Sequence, residues 1–271
     1  MEVFGHRGAC GYLPENTMES FKLAFELGSD AIEFDVVLSR DNHPVILHDL
    51  DLSLTTTNKI GQQVFELTLT ELKALRVNER YPQRTKSHAH SGRYQIPTLA
   101  EVLAEPSFSG KHLIIEIKEA AAQLTQGFDV VAQTARVIAE SDYKSRGLRL
   151  TIECFESDAL LRAKALIPDV SFVFLLAPET LPTGETEISE ELLAEIRENF
   201  DGLSVALPML EQKDLVKRAK ELGLLVYGYT ARLETAQGDA TSWFQKLIET
   251  GVDGLFADQP DLLLELVRTK P

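Results

Sequence analysis

The sequence is poor in everything that would tie it to a membrane, an oxidising compartment or a nucleic acid. Its 271 residues include two cysteines, Cys10 and Cys154, too few for a disulfide framework and not placed in a thiolate metal motif, so both are expected to be reduced and structural. No apolar run reaches the roughly 18 residues of a spanning helix; the longest, such as "HLIIEIK", are strand-sized. A basic stretch followed by an apolar one is also missing at the N-terminus, where Glu2 and His6 interrupt a short strand, and a cytoplasmic protein is expected. Positive charge is scarce: 27 Lys and Arg against 42 Asp and Glu leave a formal net charge of −15. Such a surface repels nucleic acid and anionic bilayers, so neither nucleic-acid binding nor stable membrane association is expected, and a basic side chain that binds an anion must do so inside a pocket. A small soluble molecule is the expected partner, and no pattern specifies an oligomeric state.

What is present is an ordinary globular balance, 44% hydrophobic and 25% charged, over a length that α/β barrels reach as one unit. Nine short runs rich in β-branched and aromatic residues recur: "EVFGH", "AIEFDVV", "PVILHD", "LIIEIK", "LRLTIECF", "SFVFLLA", "GLSVAL", "LLVYGY" and "DGLFAD". Helical periods separate most of them, with "ENTMESFKLAFELG" starting on an Asn16 to Glu19 capping box and ending at Gly28. The second and third runs are parted only by "LSRDNH", too short for a parallel crossover and suited to a hairpin. Setting that hairpin aside leaves eight parallel strands, and the expected fold is an α/β (β/α)8 barrel spanning 1–271 as a single domain. Residues 50–95 break the βα rhythm with threonine runs, a short helix around "LTELKAL" and the polar tract "RYPQRTKSHAHSGRY", and are expected to form a small helical insertion.

In such a barrel the functional groups collect at the C-terminal ends of the strands. His6 and Arg7 end the first run, Glu33 and Asp35 lie on the second, His48 and Asp49 end the hairpin, and Glu116 and Lys118 end "LIIEIK". Alternation along a strand puts Glu33 with Asp35, and Glu116 with Lys118, on the inner face, while Ile32, Phe34, Ile115 and Ile117 face the helices. Three inward carboxylates repel one another unless a positive group sits between them, which points to a divalent cation; an all-oxygen donor set favours Mg²⁺ or Ca²⁺ over zinc. His6 and His48 at the same mouth suit proton uptake and release near neutrality, and Arg7 and Lys118 offer positive charge to an anionic substrate. Metal, paired histidines and a cationic cradle together describe phosphodiester cleavage, with the glycines of "GHRG" letting backbone and ligand approach closely. Asn16 reads as a helix cap and Glu15 as a pocket residue or a first-turn carboxylate; His88 and His90 read as solvated loop, and Cys154 as a small buried residue.

The pieces "HRG", "PENT", "IEFDV", "VILHD", "IPTLAEVL", "IEIK" and "GVDGLFADQP", in this order over almost the whole chain, resemble the glycerophosphodiester phosphodiesterases, barrel enzymes with a helical insertion. The resemblance implies His6 and His48 as acid–base pair, Glu33, Asp35 and Glu116 as metal ligands, Arg7 and Lys118 as phosphate contacts, and hydrolysis of a diester such as glycerophosphocholine or glycerophosphoethanolamine to sn-glycerol 3-phosphate and an alcohol. The chain departs from that pattern at Leu54, where the family has arginine, in "YGYT" from Tyr227 to Thr230, and at Cys154 with Phe155. The competing readings are a related phosphodiesterase acting on lysophospholipids, a glycoside hydrolase using Glu33 and Glu116, and a silent ligand-binding barrel.

Overall fold

The computed structural model describes residues 1–268. Nine strands follow the nine apolar runs: β1 Glu2–Gly5, β2 Ala31–Leu38, β3 Pro44–Ile46, β4 His112–Ile117, β5 Arg149–Cys154, β6 Ser171–Leu176, β7 Gly202–Ala206, β8 Leu225–Ala231 and β9 Gly254–Ala257. Their order is β1-β9-β8-β7-β6-β5-β4-β2-β3, and β1 also pairs with β2, so eight parallel strands close on themselves. β3 lies outside the ring, antiparallel to β2 with Val37 opposite Val45, as the short "LSRDNH" connection requires.

The strands divide the side chains as alternation demands. Ile32, Phe34, Ile115 and Ile117 face outward into the layer of helices, where they are buried with Phe21, Leu99, Val131 and Ile138. Inside, Phe4, Ile114, Val173, Tyr227 and Phe256 fill the N-terminal half of the barrel, with Phe4 edge-on to Tyr227 at 4.9 Å and to Phe256 at 5.0 Å between centroids. Gly254 has to be glycine here, because a Cβ would lie 2.3 Å from the Phe4 ring. His112 shares this interior, its Nε2 2.9 Å from the Thr151 hydroxyl, and its burial lowers its pKa to about 4. The dry aromatic plug occupies one half of the barrel and leaves the C-terminal half for polar groups.

Three local expectations change. The helix Met18–Glu26 is capped by Thr17, whose hydroxyl accepts from Ser20 N–H; Asn16 stands one residue earlier at φ 58°, with its side chain free to turn into the barrel. Gly8, at φ 84°, serves that helix rather than a ligand: a Cβ there would meet the Ser20 backbone at 2.6 Å. The segment between β3 and β4 carries helices Leu69–Ala74 and Thr85–His88. It packs a second apolar cluster in which Leu52, Val64, Leu72 and Val77 meet Val37 and Val45 of the hairpin. His90 is stacked on Tyr94 rather than free in solvent, with their polar atoms 2.9 Å apart.

Candidate active site

Strand closure brings the first and last strands together, and with them His6 and Asp258. Gly5 of β1 pairs with Ala257 of β9, so the next residue on each strand meets its counterpart at the mouth. The His6 Nδ1–H donates to Asp258 Oδ1 at 2.7 Å, which leaves Nε2 for the cleft. Burial, then the charge of Arg7, lowers the His6 pKa to about 4 against the opposing pull of Asp258. Asp258 itself is held well below the usual carboxylate range: its burial opposes ionisation, but His6, Arg232 and Arg84 outweigh it. Arg84 donates to its second oxygen, and Arg232 Nε stands 3.4 Å from it.

His48, directly after β3 and Leu47, repeats the motif with different partners. Its Nδ1–H donates to Asp49 Oδ1 at 2.9 Å, and Asp49 Oδ2 accepts from Arg80. Arg80 reaches on to Glu15, with Nε at 3.0 Å and Nη2 at 2.9 Å, and Glu15 in turn accepts from Arg7 Nη1 at 2.9 Å. Glu15 is therefore neither a first-turn carboxylate nor idle: it lies buried between two guanidinium groups, which overcome its desolvation and depress its pKa.

Between the histidines lie Glu33, Asp35 and Glu116, with one oxygen of each within 4.8 Å of the others. Glu33 Oε2 accepts from the Arg7 backbone N–H at 2.9 Å, a contact made by turning Arg7 to φ 50°. Asp35 Oδ2 accepts from Asn16 Nδ2 at 2.8 Å and faces Arg7 Nε at 3.2 Å. Glu116 accepts from Lys118 at 2.7 Å. Glu33 Oε1 and Asp35 Oδ1 are buried with no hydrogen-bond partner. Burial first, then repulsion from Asp35 and Glu116, pushes the Glu33 pKa well up; Glu116 also shifts up by burial. Burial works against Asp35 too, yet Arg7, with His48 and Lys118, holds it low. Two orphaned oxygens and an uncompensated acid in an all-oxygen cluster fit a hard divalent cation. The second group of possible ligands, His6, Cys10 and Asp258, does not fit one, because the Arg84 guanidinium donates to both Cys10 and Asp258.

All seven residues singled out in the sequence thus converge, and His6, Arg7, Glu33, His48, Glu116 and Lys118 line one cleft of about 180 Å³. Arg7 and Lys118 are not free charges; each is already engaged by a carboxylate, so they belong to a structural ion network and to the cleft wall at once. Sequence reasoning read Asn16 as a helix cap and left Glu15 between a pocket residue and a first-turn carboxylate, and it passed over Asp258, Glu153, Arg80, Arg84 and Arg232. Asp258 was signalled by its place after a strand, in "FADQP"; Glu153, buried next to Glu116 with an unpartnered Oε1, was signalled by inward alternation on β5. Arg80 and Arg84, in a polar tract without period, carried no signal.

A family model described as the glycerophosphoryl diester phosphodiesterase family matches residues 6–262. The chain belongs to that family. It is 29% identical to the glycerophosphodiester phosphodiesterase of Bacillus subtilis, over 95% of this chain and 83% of that protein. It is 28% identical to the enzyme of the same name from Caldanaerobacter subterraneus, over 98% and 97%. A phosphodiesterase of Oleispira antarctica, solved in complex with the product sn-glycerol-3-phosphate, superposes with a TM-score of 0.77 at 27% identity, covering 99% of this chain and 97% of that one. Among the described residues, no helix is long and apolar enough to cross a membrane.

Proposed function

We propose that the protein hydrolyses glycerophosphodiesters such as glycerophosphocholine and glycerophosphoethanolamine to sn-glycerol 3-phosphate and the free alcohol, with His6 as general base, His48 as general acid and a divalent cation, Mg²⁺ or Ca²⁺, at Glu33, Asp35 and Glu116. The observation that carries this reading is the opposition, across one cleft, of two imidazoles each held at Nδ1 by an aspartate, on either side of three carboxylates, two of them with an orphaned oxygen. The product bound to the Oleispira antarctica relative supports the glycerol 3-phosphate half of the substrate.

His6 is suited to the base because burial keeps its imidazole neutral, and the Asp258 bond fixes the tautomer with a lone pair on Nε2. His48, more open and paired to Asp49, delivers the Nε2 proton of its imidazolium form to the departing alkoxide oxygen. The proton that His6 removes comes from the nucleophile, either water or the glycerol 2-hydroxyl, the latter passing through a cyclic phosphate. Arg7 and Lys118 add positive charge along the wall that receives the phosphoryl oxygens. A divalent cation at the three carboxylates would supply Lewis-acid stabilisation of charge on those oxygens. Asn16 and the Arg7 backbone orient Asp35 and Glu33 for that role.

The test is release of glycerol 3-phosphate from both diesters, with EDTA and then with Mg²⁺ or Ca²⁺ restored, alongside His6→Ala. Release that needs the metal and is lost in the variant supports the reading. No release from either diester sinks it and transfers the question to lysophospholipids, for which lysophosphatidylcholine in the same assay is the direct probe.

A further inference from the structure

Arg80 and Arg84 lie on the segment between β3 and β4, outside the barrel strands, yet each ends on the aspartate of a different histidine. Arg84, its side chain 2% exposed, binds Asp258, places Nε 2.5 Å from Glu234 and gives Nη1 to the Cys10 carbonyl at 3.0 Å. Arg80 joins Asp49 to Glu15. Between them Tyr81 stacks under the Arg84 guanidinium at 4.4 Å, and its hydroxyl accepts from Arg232 at 3.0 Å. The segment is itself tied: Glu79 accepts from the Ser87 hydroxyl and, at 2.8 Å, from Tyr81 N–H, while its own N–H donates to Ser91 at 2.9 Å. Val77 before this stretch and Ile96 after it anchor its two sides in the second apolar cluster.

Exposed ion pairs contribute little, but a buried aspartate stripped of its cation is strongly unfavourable, so these links hold their partners in place. A carboxylate bonded only to imidazole is free to swivel, carrying the ring with it. With arginine on its other oxygen both carboxylate oxygens are engaged, and the ring plane is set.

We propose that this segment acts as one clamp on both histidine–aspartate pairs, with Arg84 and Arg80 as positioning residues that aim the two Nε2 atoms at the phosphodiester. The inference rests on the function proposed above. Arg84 has a second effect on the His6 side, where the charged and titratable neighbours are Arg7, Arg232, Asp258 and Cys10, with Glu33 and Glu116 in the same cleft. By balancing Asp258, it lets that carboxylate orient His6 without making the imidazolium too stable.

Full-length wild type, Arg84→Met, Arg84→Lys, Asp258→Asn and the Arg84→Met/Asp258→Asn pair would be compared on glycerophosphocholine, with the His6 ring titrated by NMR. Mispositioning predicts a fall in kcat of about a hundredfold for Arg84→Met at nearly constant KM, since an error of about 1 Å at a reacting group costs that much. Arg84→Lys recovers most of the loss, the double variant is no slower than Asp258→Asn, and the His6 pKa in Arg84→Met rises above the wild-type value because Asp258 has lost a cation. An unchanged kcat, an effect on KM alone, multiplicative single losses or an unmoved His6 pKa would overturn the clamp. If Arg84→Met does not fold by circular dichroism, Arg80→Met, Arg80→Lys and Asp49→Asn are read by the kinetic criteria alone: a loss in kcat at nearly constant KM, recovery by lysine, and an Arg80→Met/Asp49→Asn pair no slower than Asp49→Asn. A wild type that releases no glycerol 3-phosphate fails the functional reading instead, and the His6 titration, which needs no turnover, still tests the Arg84 arm: a raised pKa supports it and an unmoved one overturns it.

Discussion

The two histidines stand in the same motif, imidazole to aspartate to arginine, but in opposite surroundings. On the His6 side the imidazole is 11% exposed and its aspartate 1%; on the His48 side the values are 27% and 17%. The difference follows from chain geometry. His6 and Asp258 end two neighbouring strands of the closed ring and are walled by Cys10 and Arg84, whereas His48 and Asp49 leave a hairpin that lies outside the ring. Burial disfavours the imidazolium of His6, while His48 and its aspartate lie closer to solvent. In the function proposed above, the buried member of the pair is the base and the open one the acid.

The largest expected effect is the loss of either imidazole: His6→Ala and His48→Ala each lower kcat by about 10²–10⁴-fold, the usual worth of a positioned acid or base. What separates them is a glycerol phosphodiester with a p-nitrophenyl leaving group, which needs no proton. His48→Ala regains activity on it and His6→Ala does not; recovery of His6→Ala instead would reverse the assignment.

Next comes the ground between the two sides. Chelation is expected to abolish turnover, and in metal-free protein Glu33→Gln raises Tm, because it replaces an acid whose ionisation burial, Asp35 and Glu116 oppose with a neutral amide of the same shape; each 1 kcal/mol gained is worth about 2–4 °C for a chain of this size. A lowered Tm would mean that the three carboxylates are fully balanced by Arg7 and Lys118 without a cation.

A smaller effect appears in the pH dependence of kcat/KM, which reports the free enzyme's base. With His6 at about 4, activity persists below the ordinary histidine range and is lost as pH falls through about 4. An acid limb at the unperturbed value of about 6.5 would erase the contrast in burial.

The smallest effect is on stability. His6 and His112 both titrate near 4 in the folded chain against about 6.5 unfolded, so between these values the unfolded chain binds more protons. Their contribution is complete above about 6.5 and declines as pH drops toward 4. Thermal scans at pH 7 and pH 5 check this, and His112→Asn is expected to flatten the slope in part without altering kcat.

Legibility differed between element and contact. The strands could be read because alternation and β-branched runs are local, and the inward direction of Glu33, Asp35 and Glu116 follows from the same period. The cap at Thr17 was displaced by one residue because Asn16, a good cap in isolation, is drawn to Asp35, a tertiary partner. Gly8 was assigned to ligand approach because a sequence does not show that the helix Met18–Glu26 crosses it at contact distance.

The sequence alone determined the barrel, the hairpin on β2 and the mouth at which His6, His48 and three carboxylates gather, since period and connection length are enough for these. Tertiary structure alone decided that Asp258 would hold His6, that Arg80 and Arg84 would close over both aspartates, and that one histidine would be buried and the other left open. Those contacts join residues from 31 to 252 positions apart. No local pattern records such pairs, because they exist only once the ring has closed and the segment after β3 has folded against its mouth.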